Sequence, residues 1–118
     1  MHALKNKVQL IGWIPNAPEV KCTESGRKLA CFSVGTSDSY RNARGERVTE
    51  TQWHRVIAWG KLATIVEKYL LKGQEVMIEG RLVNRNFTDK DGSKRSVTEI
   101  QASELLMLGV KTSDKNFS

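Results

Sequence analysis

Near the start of the chain the apolar positions Val8, Leu10 and Ile14 share one parity around Gly12. Side chains two apart lie on one face of an extended chain, so a strand is predicted from about Lys5 to Ile14. Pro15 and Pro18 close it. The same alternation from Lys28 to Ser37 sets Ala30, Phe32, Val34 and Thr36 on one face of a second strand. Tyr40 to Glu50 is rich in Arg, Asn, Gly and Glu with almost nothing apolar, which predicts a long exposed loop. A third strand runs from Thr51 to Trp59. Then the period changes: Leu62, Ile65, Val66, Tyr69 and Leu70 follow helical spacing, and Gly73 stands where a C-terminal cap belongs. Glu75 to Phe87 returns to period two, with Val76, Ile78 and Leu82 on the inner parity. Asp89-Lys90-Asp91-Gly92 is a hairpin turn signal, and Arg95 to Leu108 supplies the last strand.

Three strands, a helix and two strands is the element order of an all-β, five-stranded Greek-key barrel, the OB-fold, with one short helix between strands three and four. A chain of 118 residues has room for one such domain, expected over residues 1–109, with 110–118 as a short flexible tail. Hydrophobic residues at 39% are enough for a core, and no apolar run is long enough to span a membrane. Met1 to Lys7 has no signal-peptide core, and two cysteines are too few for a disulfide scaffold, so a reducing, cytoplasmic setting is expected. The formal charge is +6, which favours polyanionic partners. Its placement says more: the basic excess lies at Arg41 to Lys61 and Arg81 to Arg95, in the middle of the chain rather than in a tail.

On the third strand Trp53, Arg55, Ile57 and Trp59 share one parity, opposite to His54, Val56 and Ala58. An arginine midway between two tryptophans on a buried face would need a partner, because unpaired buried charge is expensive. The fourth strand repeats the pattern, with Arg81, Arg85 and Phe87 opposite to Val76, Ile78 and Leu82. Rings stack on unpaired bases and guanidinium groups neutralise phosphates, so such a face suits a single-stranded nucleic acid. The pattern alone also admits rings packed in a core or a subunit interface.

Several blocks together resemble the bacterial-type single-stranded DNA-binding (SSB) family. They are Asn6-Lys7-Val8, Gly12, Pro18-Glu19-Val20, Thr36-Ser37-Asp38-Ser39-Tyr40-Arg41, Thr51-Gln52-Trp53-His54-Arg55-Val56, Gly60-Lys61-Leu62-Ala63, Tyr69-Leu70-Leu71-Lys72-Gly73, Ile78-Glu79-Gly80-Arg81-Leu82 and Met107-Leu108-Gly109. The resemblance implies base stacking at Tyr40, Trp53, Trp59 and Phe87. It implies backbone contacts from Lys7, Lys21, Arg41, Arg55, Lys61, Lys72 and Arg85, to which the strand pattern adds Arg81. It places His54 near a subunit interface, although a hydrogen-bonded structural histidine is the simpler reading of that residue. A homotetramer around which single-stranded DNA wraps, acting in replication, repair and recombination, is the implied assembly. Many relatives continue into a linker with an acidic, apolar tip that recruits other proteins. Here Asp114 to Ser118 holds one acid and one base, so recruitment by that route is not expected.

Enzyme chemistry finds little support. Gly60-Lys61 lacks the glycine five positions earlier that a phosphate-binding loop needs, since Arg55 stands there. The two histidines, His2 and His54, and the cysteines Cys22 and Cys31 have no metal-ligand spacing, so no cofactor is expected. Glu99 and Glu104 read as solvated strand residues rather than an acid–base pair. A protein-assembly adaptor on the same fold has no use for base-stacking rings, and RNA-binding cold-shock barrels lack the helix between strands three and four.

Overall fold

The computed structural model describes residues 5–110. Six strands and one helix follow in the order β1 (Val8–Trp13), β2 (Glu19–Cys22), β3 (Lys28–Arg41), β4 (Arg47–Trp59), α1 (Lys61–Tyr69), β5 (Gln74–Thr88) and β6 (Lys94–Val110). The sheet order is β1-β5-β6-β4-β3-β2, and β1 also pairs with β3 through Trp13 and Gly35. That second pairing returns the sheet on itself, so β1, β5, β6, β4 and β3 form the ring of the expected five-stranded barrel. All the pairings are antiparallel except β4 with β6.

The ring closes where two backbones nearly touch. A Cβ built on Gly12 would lie 2.1 Å from the carbonyl oxygen of Gly35, so only glycine fits at that crossing. The alternating residues then meet inside: Ile14, Ala30, Phe32, Val34, Val56, Ala58, Val76, Ile78, Ile100 and Ala102 are buried together. Helix α1 adds Ala63 and Val66 to this cluster, with Leu70 just beyond its end. Lys28 Nζ donates to Glu67 Oε1 at 2.6 Å and ties the exposed side of the helix to β3.

Four expectations change. The short strand β2 is additional; Pro18 precedes it, and it is an edge strand paired only with β3. The stretch Tyr40 to Glu50 is mostly not a loop: β3 and β4 stay paired out to Arg41 and Arg47, and the turn is confined to residues 42–46. Polar sequence there reflects a two-stranded ribbon wetted on both sides, where alternation carries no hydrophobic signal. Helix α1 ends at Tyr69, and Gly73 lies beyond the cap, where its N–H donates to the Ile14 carbonyl at 2.7 Å. Leu82 is 48% exposed rather than internal. The β1–β5 register stops at Val8 opposite Gly80, so past that point the inner side of β5 has no barrel to face.

Strand β6 continues through Val110, one residue into the segment read as a tail, and residues 111–118 lie outside the described residues. Among the described residues no helix is long and apolar enough to cross a membrane. Cys22 is exposed, Cys31 is buried, and both are free thiols.

The Gly12 crossing carries a testable consequence. Gly12→Ala must spread β1 from β3, and overpacking of this kind costs about 1–3 kcal/mol. A thermal melt should show the midpoint falling by several degrees; an unchanged midpoint would show that the crossing relaxes freely.

Candidate nucleic-acid interface

The β3–β4 register is continuous, so direction follows parity along both strands. Trp53, Arg55, Ile57 and Trp59 turn outward from β4, opposite Gly35, Ser33, Cys31 and Leu29 of β3. On the other side of β4, β6 runs parallel with Ile57 beside Gln101, and β5 then pairs Arg81 with Gln101, Val83 with Glu99, Arg85 with Val97 and Phe87 with Arg95. One outward face therefore crosses β4, β6 and β5. It gathers Trp53, Arg55 and Trp59 with Arg81, Arg85 and Phe87, as the strand pattern predicts.

At its centre lies a carboxylate expected in solvent. Glu99 on β6 is 1% exposed. Arg55 Nε donates to its Oε2 at 2.6 Å, while Arg85 donates from Nε to Oε1 at 3.3 Å and from Nη2 to Oε2 at 2.9 Å. The arginine between two tryptophans does have a partner, but on the outer face rather than in the core. The partner comes from a strand distant in sequence, which alternation cannot reveal. Arg85, and after it Arg55, hold the Glu99 carboxyl below the ordinary carboxylate range, although burial pushes the other way. The same contact raises the Arg85 guanidinium.

Trp53, 57% exposed, is the most open of the rings near this centre. Its six-membered ring lies over Gly35, where an added Cβ would come within 2.6 Å. Trp13 meets it edge-on, with ring centroids 5.7 Å apart and planes at 74°. Trp13 is missing from the aromatic set read from the sequence, although its parity, opposite to Leu10 and Ile14, is the available signal. Trp59 is half-buried, with the Arg27 guanidinium 4.4 Å from its ring centroid, so one of its faces is already occupied. Arg27 comes from the turn before β3 and is likewise absent from the predicted set. Phe87 opens onto a cleft of about 490 Å³ lined by Asn86, Phe87, Thr88, Lys94, Arg95 and Ser96.

Other predicted residues lie elsewhere. Tyr40 has the parity of Val34 and so falls on the opposite side of the β3–β4 ribbon from Trp53. Arg41, near the ribbon tip, donates from Nη1 to the Gly45 carbonyl at 2.8 Å. Lys7 pairs with Glu79 at 3.6 Å. Lys21, Lys61 and Lys72 are exposed on β2, at the start of α1 and in the turn after it, with no ion pair among the described residues. His54 is half-buried, its Nε2 3.0 Å from Thr36 Oγ1, which is the structural hydrogen bond anticipated for it. No cluster of His, Cys, Asp or Glu suited to a metal occurs among the described residues.

A barrel of this order, with rings and arginines displayed on one sheet face, belongs to the class of oligonucleotide-binding OB-folds. Comparison with known proteins narrows the class. Residues 5–108 match the model of the Single-strand binding protein family, and the chain belongs to that family. Single-stranded DNA-binding protein 1 of Chlorobaculum tepidum is 44% identical over 119 residues, spanning 96% of this chain and 74% of its own length. Single-stranded DNA-binding protein 1 of Xylella fastidiosa is 43% identical over 107 residues, spanning 90% and 79%. Among solved structures, the Plasmodium falciparum SSB in complex with ssDNA matches with a TM-score of 0.78 at 31% identity, over 87% of this chain and 94% of that one. A deletion mutant of the Thermus aquaticus single-stranded DNA binding protein matches at 0.77 and 30% identity, over 87% and 50%.

The Glu99 contacts give stability an acid limb. Because the folded carboxyl is the stronger acid, its contribution is complete above the unfolded value of about 4.3 and is lost as pH falls below that. Urea midpoints measured from pH 6 down to pH 3 should fall more for the wild-type protein than for Glu99→Gln. Parallel curves would mean that the contacts hold no differential stability.

Proposed function

We propose that this protein binds single-stranded DNA without sequence preference, coating and protecting it in replication, repair and recombination. The observation that carries this reading is the outward β4–β6–β5 face, on which an open tryptophan and exposed arginines lie side by side. The DNA-binding relatives named above support it. Bases stack on Trp53, Phe87 and the free side of Trp59, and Tyr40 receives a stretch of strand on the far side of the ribbon. Duplex DNA hides its π-faces, so the rings select the single strand. Lys7, Lys21, Arg41, Lys61, Lys72 and Arg81, with Arg55 and Arg85 at the centre, line the phosphate path. The binding is passive: the chain displaces counterions and hides bases from reannealing and nucleases, with no bond made or broken. A place on the nucleoid in the cytoplasm follows from that role.

The assembly we infer is a homotetramer. Ile11, Met77 and Leu106 stand opposite one another across β1, β5 and β6, and Ile11 and Leu106 are 54% and 58% exposed. An apolar row of this kind on an open sheet suits contact with a second copy. His54 belongs, on the same reading, near a subunit contact, in addition to its bond with Thr36.

Titration of the intrinsic tryptophan fluorescence with single-stranded and matched duplex DNA at two salt concentrations tests the reading. Strong quenching by the single strand alone is expected, and equal affinity for duplex would overturn it. Trp53→Ala should cost about 1–3 kcal/mol with little change in salt slope. Arg81→Ala should instead flatten the plot of log affinity against log salt by about 0.7. For the assembly, Leu106→Glu should lower the mass seen by sedimentation; an unchanged mass would place the contact elsewhere.

A further inference from the structure

Glu99 stands on β6, the strand between β4 and β5, and on the face proposed to carry the DNA strand. A carboxylate is out of place there, because it repels phosphate. Its surroundings are otherwise apolar or neutral: Val83 faces it from β5, and Val97 and Gln101 flank it on β6. Arg81, the remaining charged group of this part of the face, stands opposite Gln101 and makes no ion pair among the described residues. Burying a carboxylate costs several kcal/mol unless its oxygens are well bonded, and here both oxygens accept from arginine. The arginine side chains stay about half exposed, at 49% for Arg55 and 54% for Arg85. The acid is therefore covered by the two groups it holds, and their outer portions remain available to a ligand.

Two consequences follow from that geometry. Arginine side chains are long and flexible, and two of them converging from different strands would repel each other and spread into solvent. A shared carboxylate on the strand between removes both the freedom and the repulsion. It also offsets one of two positive charges, leaving the cluster at a net +1. We propose that Glu99 is a positioning residue for DNA binding: it fixes Arg55 and Arg85 for the passing strand and limits their combined electrostatic contribution to that of a single cation. This rests on the reading of the β4–β6–β5 face as the strand path, and it makes Glu99 a brake on affinity at low salt. A face that must bind any sequence tightly and still release it gains from such a brake, because each added phosphate contact steepens the dependence on salt.

The test is the affinity of the 118-residue chain for oligo(dT) across a salt series, with circular dichroism confirming the fold of each variant. Glu99→Gln adds one net positive charge, so its plot of log affinity against log salt should be steeper than wild type by about 0.7. It should bind more tightly at low salt and several-fold more weakly at high salt, where placement of the arginines matters and net charge is screened. The two lines should therefore cross. Coincident or parallel lines would overturn the proposal, since a purely structural role would shift affinity by a similar factor at every salt concentration. If Glu99→Gln fails to fold, Arg85→Gln is compared with the charge-balanced double variant Glu99→Gln/Arg85→Gln. The first should be flatter than wild type by about 0.7 and the second should return to the wild-type slope. Equal slopes for those two variants would also overturn the proposal. Trp53→Ala, measured alongside, separates this inference from the reading beneath it. If Trp53→Ala binds like wild type, the strand path itself is misplaced. If it binds weakly while the Glu99 lines run parallel, only the role of Glu99 is lost.

Discussion

The close approach of β1 to β3 at Gly12 and Gly35 is the constraint on which both the barrel and its outer face depend. With the Gly12 Cα against the Gly35 carbonyl, the sheet can turn back on itself, and the alternating residues of five strands meet in one core. On the other side of the same crossing, the missing Gly35 side chain leaves the space into which Trp53 and Trp13 lean. One pair of glycines thus closes the fold and seats a ring. The economy is geometric: a strand has two faces, and a residue without a Cβ relieves crowding wherever the backbones are closest.

Beyond the barrel the long strands continue as two ribbons, β3 with β4 and β5 with β6. Ribbons of this kind bury little apolar surface, and they rest on backbone pairing and on polar cross-strand contacts. Ser37 and Thr51, and Ser39 and Thr49, bring their hydroxyls within 3.4 and 3.2 Å on the first ribbon. Thr98 donates to Asn84 at 2.6 Å on the second. Sparse burial suits elements that adapt to a flexible ligand, since local opening is cheapest where few apolar contacts are lost.

Part of the positive charge is already paired with acids in the free chain. Arg55 and Arg85 share one carboxylate, Lys7 leans toward Glu79, and Arg95 is held by Asp89 at 2.6 Å. The formal +6 already counts these acids against their partners. These pairs leave the net charge as it is and decide only where the positive charge is held in place.

Much of this was legible in the chain itself. Period-two alternation marked β1, β3 and β5, and the change to helical spacing at Leu62 marked α1, because burial of one face leaves a direct imprint on residue order. The outward parity of Trp53, Arg55, Arg81, Arg85 and Phe87 was legible for the same reason. Where burial is absent the imprint fades: the ribbon at Tyr40 to Glu50 looked like a loop, and Leu82 looked internal although the barrel ends before it. Side chains brought together from distant strands left no periodic trace at all. That Glu99 lies buried beneath two arginines, that Trp13 braces Trp53, that Arg27 covers Trp59 and that Tyr40 faces away from Trp53 were decided by strand register and barrel closure. Local sequence determines which face a residue takes, and only the tertiary structure determines what it meets there.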